Sequence, residues 1–480
     1  MLKILYVASE AVPFIKTGGL ADVAFALPKA LRKLGVDIRV IIPKYKDIPE
    51  KYKREMKFLT NFEVNVGWRR QYCGIEYLKY EGIPFYFIDN EYYFKRDGLY
   101  GHYDDGERFA YLCRAVLETI ENIDFMPDII HCNDWHTGMI PVLLNEHYKK
   151  YGKLTGIKTI FTIHNLKYQG IFGPEILGDL LSLGMEYYNP QALEFYGGVS
   201  FMKGGIKYSN IITTVSKTYA QEIQHPFFGE RLDGLLRWRK NDLYGIVNGI
   251  DYDIYNPSKD KYIFEKYDYD SIEKKEINKL KLQESLNLPK RKDVPLISMV
   301  SRLVNMKGLD LVLHVLDEIL SEDVQMIILG TGKPEYEWKL KEFAYKYPNK
   351  FSANIFFNEE LAHKIYAASD IFLMPSLFEP CGLGQLIALR YGVLPVVRET
   401  GGLNDTVNSF NEYTGEGNGF SFTNYNAHDM LYTIRRALNF YKNKNTWKKI
   451  VKRAMIEDYS WNNSAKEYKK LYEKLTTYKM

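Results

Sequence analysis

Short apolar runs alternate with longer amphipathic stretches through the first half of the chain. Residues 3–9 predict a strand buried on both faces, 21–34 a helix, and 37–42 a second strand closed by Pro43. Further strands are expected at 129–132, 159–163 and 211–215, separated by helical segments such as 106–120 and 139–148. Strands alternating with helices at this spacing predict βαβ units and a mostly parallel sheet. Residues 64–89 depart from that rhythm, and their short β-branched and aromatic runs suggest a local hairpin insertion.

The alternation breaks at 245–256. There Asn248-Gly249-Ile250-Asp251 is a turn signal, followed by Asn256-Pro257 and a charged stretch to Lys290. A new series starts with 295–301 as strand and 308–319 as helix, and continues through 325–330, 353–357, 370–375 and 394–398. The second half thus repeats the logic of the first without repeating its sequence. The last stretches, 427–443 and 463–475, read as amphipathic helices with a solvated basic face rather than as nucleic-acid arms.

Composition supports this division and excludes some partners. A chain of 480 residues exceeds what one core sustains. Its 46% hydrophobic and 26% charged content are those of a globular protein. The net charge of +4 is small for this length and supports neither nucleic acid nor an anionic membrane as the main partner. No apolar run approaches ~18 residues, so no transmembrane helix is expected. The opening residues run straight into a strand, with no expected leader. Cys73, Cys113, Cys132 and Cys381 contain no C-x-x-C pair, which argues against a zinc site or a disulfide framework and for a reducing cytoplasm.

The chemistry-bearing residues fall where strands hand over to helices. Lys16-Thr17-Gly18-Gly19-Leu20 is a glycine loop after the first strand, where free N–H groups and a helix N-terminus would face an anion. It fits neither the dinucleotide fingerprint nor the Walker A pattern, and a solvated turn is the plainer alternative. Asn133-Asp134-Trp135-His136 and Ile163-His164-Asn165 each follow an apolar strand, bringing Asp134, His136 and His164 to one sheet rim. A histidine there could donate to a developing charge. Structural histidines and an N-cap aspartate are the alternatives.

In the second half, Arg302 closes a strand and Lys307-Gly308 opens a helix. Two cations near a helix N-terminus oppose its dipole unless an anion sits between them, which points to a diphosphate. Glu379 precedes Cys381-Gly382-Leu383-Gly384 in another such loop. A carboxylate there suits a sugar hydroxyl or an oxocarbenium-like centre better than a phosphate. Cys381 could be activated by the helix start or could simply pack. Thr400-Gly401-Gly402-Leu403 follows a further strand and is expected to add N–H donors.

Together these motifs, with Asp22, Tyr168-Gln169-Gly170 and Asn248-Gly249-Ile250-Asp251, resemble the bacterial glycogen synthases and plant starch synthases, over nearly the whole chain. The resemblance implies a GT-B fold: two Rossmann-like, doubly wound α/β domains facing each other across a deep cleft. Residues 1–245 would be the acceptor-side domain, 246–457 the nucleotide-sugar domain, and 458–480 a helix packing back on the first. The implied reaction is retaining transfer of glucose from ADP-glucose to the non-reducing 4-hydroxyl of an α-1,4-glucan, glycogen or a maltooligosaccharide, with no cofactor and no metal. Glu379, His164, Lys307, Arg302 and Lys16 resemble the family's catalytic set. Lys16, Gly18, Gly19, Asp22, Asp134, Asn248, Arg302, Lys307, Cys381, Gly382, Leu383 and Gly384 would bind substrate, and Phe357 would lie against adenine, where the family often has Tyr. The second glutamate of many retaining relatives is Ile387 here, as in the starch and glycogen synthase branch. Tyr92, Tyr93, Tyr100 and Tyr103 could stack on glucan rings, although core packing is the expected role for at least half of them. A UDP-glucose-dependent glucosyltransferase and an inactive glucan-binding scaffold are the rival readings. The oligomeric state is left open.

Overall fold

The computed structural model describes residues 1–477 of the chain, in two compact units. One comprises Met1–Asn248 with the C-terminal segment from Trp461; the other is Gly249–Ser460.

The strands of the first unit are Lys3–Val7 (β1), Asp37–Pro43 (β2), Lys57–Val66 (β3), Arg69–Tyr80 (β4), Ile83–Asp89 (β5), Ile129–Asn133 (β6), Lys158–Ile163 (β7), the short Ile171–Phe172 (β8), Glu194–Phe195 (β9) and Gly198–Ser200 (β10), then Ile211–Thr214 (β11) and Leu243–Gly245 (β12). Nine form one sheet in the order β12-β11-β7-β6-β1-β2-β5-β4-β3, and β8–β10 form a small antiparallel sheet. From β12 to β5 neighbours are parallel; β4 and β3 then run antiparallel. The runs at 64–89 do form antiparallel hairpins as expected, β3–β4 and β4–β5. They extend the main sheet, because β5 pairs with β2 in parallel register. Ile4, Leu5, Tyr6 and Val7 are all buried, as a strand covered on both faces requires.

The C-terminal helix Trp461–Thr477 belongs to this unit. Trp461, Ala465, Tyr468 and Tyr472, spaced by helical turns, are buried. Ser464 Oγ donates to the Val247 carbonyl, and Lys469 Nζ to the Leu34 carbonyl at 2.9 Å.

The second unit has Leu296–Val300 (β13), Gln325–Leu329 (β14), Phe351–Asn354 (β15), Ile371–Met374 (β16), Leu394–Arg398 (β17) and Phe420–Phe422 (β18). They form one all-parallel sheet in the order β15-β14-β13-β16-β17-β18. The charged stretch before it is anchored from beneath. Buried Lys275 donates to the carbonyls of Tyr366, Ala367 and Tyr391, and burial lowers its amine to about 7. Lys279 pairs with Asp370 at 2.6 Å.

Both main sheets reverse strand order beside their first strand. β1 lies between β2 and β6, and β13 between β14 and β16. Ligands of open α/β sheets bind outside the carboxyl ends of strands at such switch points. The Lys16 loop and Asp134 follow β1 and β6; the Arg302–Lys307 segment and Glu379 follow β13 and β16.

Candidate active site

In the first unit the loop after β1 is built on Glu10. This buried carboxylate accepts from the backbone N–H and the hydroxyl of Thr17, and burial raises its pKa. Lys16 lies beyond it, its side chain 41% exposed, paired with Asp22 at 2.8 Å in the first turn of helix Gly19–Lys33. An acid there suits the positive end of the dipole. Gly18 is extended, and a Cβ on it would meet nothing nearer than Glu10 Oε1 at 3.7 Å. Folding therefore does not require glycine at this position.

At the ends of β6 and β7, Asp134 does not cap the helical turn that follows it. Its Oδ1 accepts instead from the backbone N–H of His164 at 2.8 Å and of Asn165 at 3.4 Å, tying the two loops together. Its own backbone is left-handed (φ 55°), a cost of order 1–3 kcal/mol that the surrounding contacts must offset. Desolvation raises the Asp134 carboxyl from 3.8 to about 7 and lowers the His164 imidazole to about 3. His164 is thus neutral across the physiological range. His136 does not join the rim. It is buried, stacked on Trp135 with centroids 4.1 Å apart and packed against Tyr100 and Phe109. Asn248 is also buried, and its Oδ1 has no hydrogen-bond partner.

A cavity of about 530 Å³ adjoins this rim, lined by Trp135, Tyr168, Gln169, Phe195, Glu230 and Arg231 among others. Gly170 makes its wall possible: at φ +58°, a Cβ there would fall 2.2 Å from the Trp135 ring. Gln169 Nε2 donates to the Glu230 carbonyl at 2.8 Å, while its buried Oε1 has no partner. Of the tyrosines expected to stack on sugars, Tyr93 is buried and donates to Glu107, and Tyr100 is bonded to Ser9. Tyr92 and Tyr103 are exposed.

In the second unit Lys307 and Glu379 pair at 2.5 Å, with Ser376 Oγ donating to the same Glu379 oxygen at 3.0 Å. Their side chains are 18% and 8% exposed. Gly308, at φ +75°, turns the chain back over Pro375, which brings the two loops together. Arg302 is exposed in the loop after β13 that also carries Lys307, and Phe357 stands 86% exposed after β15. The Gly401-Gly402 loop does not offer a spare donor at Gly402, whose N–H is given to the carbonyls of Glu379 and Pro380. Its role is close approach. A Cβ on Gly401 or Gly402 would come 2.0 Å from the Glu379 or Cys381 carbonyl oxygen. Cys381 is buried behind it, as a packing residue would be, and Gly382 takes the left-handed turn (φ +74°) into helix Gly384–Arg390. Among the described residues no group of three or more His, Cys, Asp or Glu is arranged to hold a metal ion.

Glu10, Glu230 and Arg231 were not anticipated as parts of this site. For Glu10 a signal existed: an acidic residue ending an otherwise apolar strand, just before a glycine loop. For the others none did.

Residues 3–238 match the family model described as starch synthase catalytic domain, and residues 278–454 match glycosyl transferases group 1. The chain is 62% identical over 473 residues to a glycogen synthase of Clostridium acetobutylicum, covering 98% of this chain and 99% of the relative. It is 61% identical over 474 residues to one of Anoxybacillus flavithermus, covering 99% and 98%. The catalytic domain of starch synthase IV from Arabidopsis thaliana, solved with ADP and acarbose, superposes with a TM-score of 0.93 at 35% identity, over 99% of both chains. With such identity along the full length of its relatives, and with the GT-B fold they share, the chain belongs to the glycogen synthase family of glycosyltransferases.

Proposed function

We propose that the enzyme transfers glucose from ADP-glucose to the non-reducing 4-hydroxyl of an α-1,4-glucan, with retention at the anomeric carbon. The observation that carries this reading is the Lys307–Glu379 pair, held nearly dry between the loops after β13 and β16. A buried ion pair gains little for stability over apolar residues of equal size, so its presence here favours a chemical use. When the donor binds, Lys307 and Arg302 neutralise the diphosphate and Glu379 is left facing the sugar, where it favours positive charge developing at the anomeric carbon. No metal is required, because these cations carry the neutralisation.

Residues 246–457 form the nucleotide-sugar domain in this reading. Phe357 lies against the adenine, and the Cys381–Gly384 turn passes close to the phosphates. Residues 1–245 form the acceptor-side domain, with 458–477 as its closing segment; the remaining residues to 480 lie outside the described ones. Lys16, with Asp22 steering it, meets the donor's phosphate and sugar. Gly18 and Gly19 give that donor room, which explains a glycine at 18 that neither conformation nor packing demands. Asp134, His164 and Asn248 line the glucosyl pocket, and the unpartnered Asn248 Oδ1 is free to accept from a sugar hydroxyl. The cavity walled by Trp135, Tyr168 and Phe195 receives the glucan, with the fixed Gln169 amide accepting from its hydroxyls. Stacking rings beside a few fixed polar groups suit a neutral polyhydroxylated chain. We place the enzyme in the cytoplasm; all four cysteines are buried thiols, and no helix among the described residues is long and apolar enough to cross a membrane.

Glucose incorporation into glycogen, measured from ADP-glucose and from UDP-glucose in parallel with and without chelator, tests this. We expect ADP-glucose to be preferred and chelator to have no effect. A UDP-glucose preference would overturn the donor assignment, chelator-sensitive activity the metal-free mechanism, and no incorporation from either donor the catalytic reading.

A further inference from the structure

Asn133 is fully buried at the end of β6, between Tyr6 on β1 and His164 after β7. Its Nδ2 donates to the Val7 carbonyl at 2.9 Å and the His131 carbonyl at 3.3 Å. Both are pure acceptors, so the amide has one orientation, with Oδ1 turned toward His164. That oxygen receives the Tyr6 hydroxyl and His164 Nε2, each at 2.9 Å. An amide oxygen cannot donate, and the hydrogen of that contact must therefore sit on Nε2 of His164. The main chain of His164 is fixed independently, through its N–H to Asp134.

We infer that Asn133 is a positioning residue that locks His164 as the neutral Nε2–H tautomer, keeping Nδ1 an unprotonated acceptor toward the site. Two backbone carbonyls set the amide and the amide sets the imidazole, so the ring's proton is assigned by the sheet itself. The titratable groups around His164 are Asp134 just after β6, His131 on β6, Tyr6 on β1, and Tyr219 of helix Lys217–Glu222, whose hydroxyl accepts from the Leu166 N–H. None of them offers His164 Nε2 a carboxylate; Asp134 reaches only the backbone N–H groups.

The inference uses the proposed function only for its activity readout. Imidazole nitrogen shifts of the 15N-histidine-labelled enzyme, with His164→Gln to assign the signal among nine histidines, read the tautomer directly. In the wild type we expect a protonated Nε2 and a bare Nδ1 from about pH 6 to about pH 8, and the same in Tyr6→Phe. Asn133→Asp, which sets a carboxylate against Nε2, should bring in the imidazolium near about pH 6 and give kcat/KM an acidic limb of about tenfold that the wild type lacks. A wild-type imidazolium or a protonated Nδ1 at about pH 6 would overturn the lock, and needs no variant to be seen. Unchanged shifts and pH profile in a folded Asn133→Asp would overturn Asn133 as its cause. Expected shifts with no glucosyl transfer under any condition would count against the proposed function and leave the lock standing.

Discussion

Lys307 and Glu379 neutralise each other in a nearly water-free setting, so removing one leaves the other without its counter-charge. Breaking such a pair costs on the order of 3 kcal/mol, whereas replacing both partners can be close to neutral. Lys307→Met and Glu379→Gln alone should each lower the urea midpoint. The double variant should recover much of that stability and none of the turnover. Recovered turnover would deny the pair its chemical role. Asp134 makes a different prediction. Its carboxyl titrates at about 7 in the folded protein against an ordinary 3.8, so the folded state holds a proton that the unfolded state has lost between those values. Its contribution to stability is therefore greatest below pH 3.8, declines as pH rises through that window, and is constant above about 7. Asp134→Asn keeps an oxygen acceptor and removes the titration, so its stability should decline less with pH across the window, as read by denaturant titrations at several pH values. The positions and types of Lys307, Glu379 and Asp134 were legible as residues after strands. Their partners were not, because groups 72 and 30 positions apart meet only after the sheets have formed.

Glycines separate folding from function within single loops. Gly401 is left-handed and touches the Glu379 carbonyl, so Gly401→Ala should destabilise by about 3 kcal/mol or more and disturb the Glu379 loop with it. Gly18 has ordinary extended backbone and open space, so Gly18→Ala should cost less than about 1 kcal/mol. If its glycine serves the donor, the KM for ADP-glucose will nevertheless rise severalfold. An unchanged KM would return Gly18 to a plain turn. In sequence the two loops look alike, and only their surroundings distinguish a glycine that makes room for a carbonyl from one that leaves room outside. The strand-to-helix alternation was legible because buried parallel strands write continuous apolar runs. Residues 64–89 were legible as hairpin strands but not as part of the main sheet, because aromatic and β-branched runs announce strands but not which neighbour they join.

Over the whole molecule, the chain leaves its first unit after Asn248 and returns to it at Trp461. Within the second unit the outgoing and returning segments are paired, Ile250 N–H donating to the Tyr459 carbonyl at 2.8 Å. The returning helix buries Trp461, Tyr468 and Tyr472 and lends the Tyr472 hydroxyl to His131 Nδ1 at 2.7 Å. Large side chains of this kind contribute about 1.5–3 kcal/mol each when buried. Deleting residues 461–480 should therefore destabilise the first unit selectively. Limited proteolysis with peptide mapping should find the early cleavages before residue 249, and cleavage confined to 249–460 would show that the helix matters little. Tyr472→Phe tests the hydroxyl alone, with an expected cost of about 1–2 kcal/mol.

What the sequence determined by itself was set locally: apolar runs too continuous for anything but parallel strands, and ionisable residues and glycines clustered just after them. These were enough to read two α/β domains and the family's motifs in order. What only the tertiary structure decided were relations between distant positions. Strand order set β7 beside β6 and β16 beside β13, and so joined His164 to Asn133 and Lys307 to Glu379. Burial then fixed protonation, leaving His164 neutral and Asp134 near neutrality. The physical reason is that an ionisable group's charge depends on its solvent and neighbours, and a linear pattern specifies its type but neither of these.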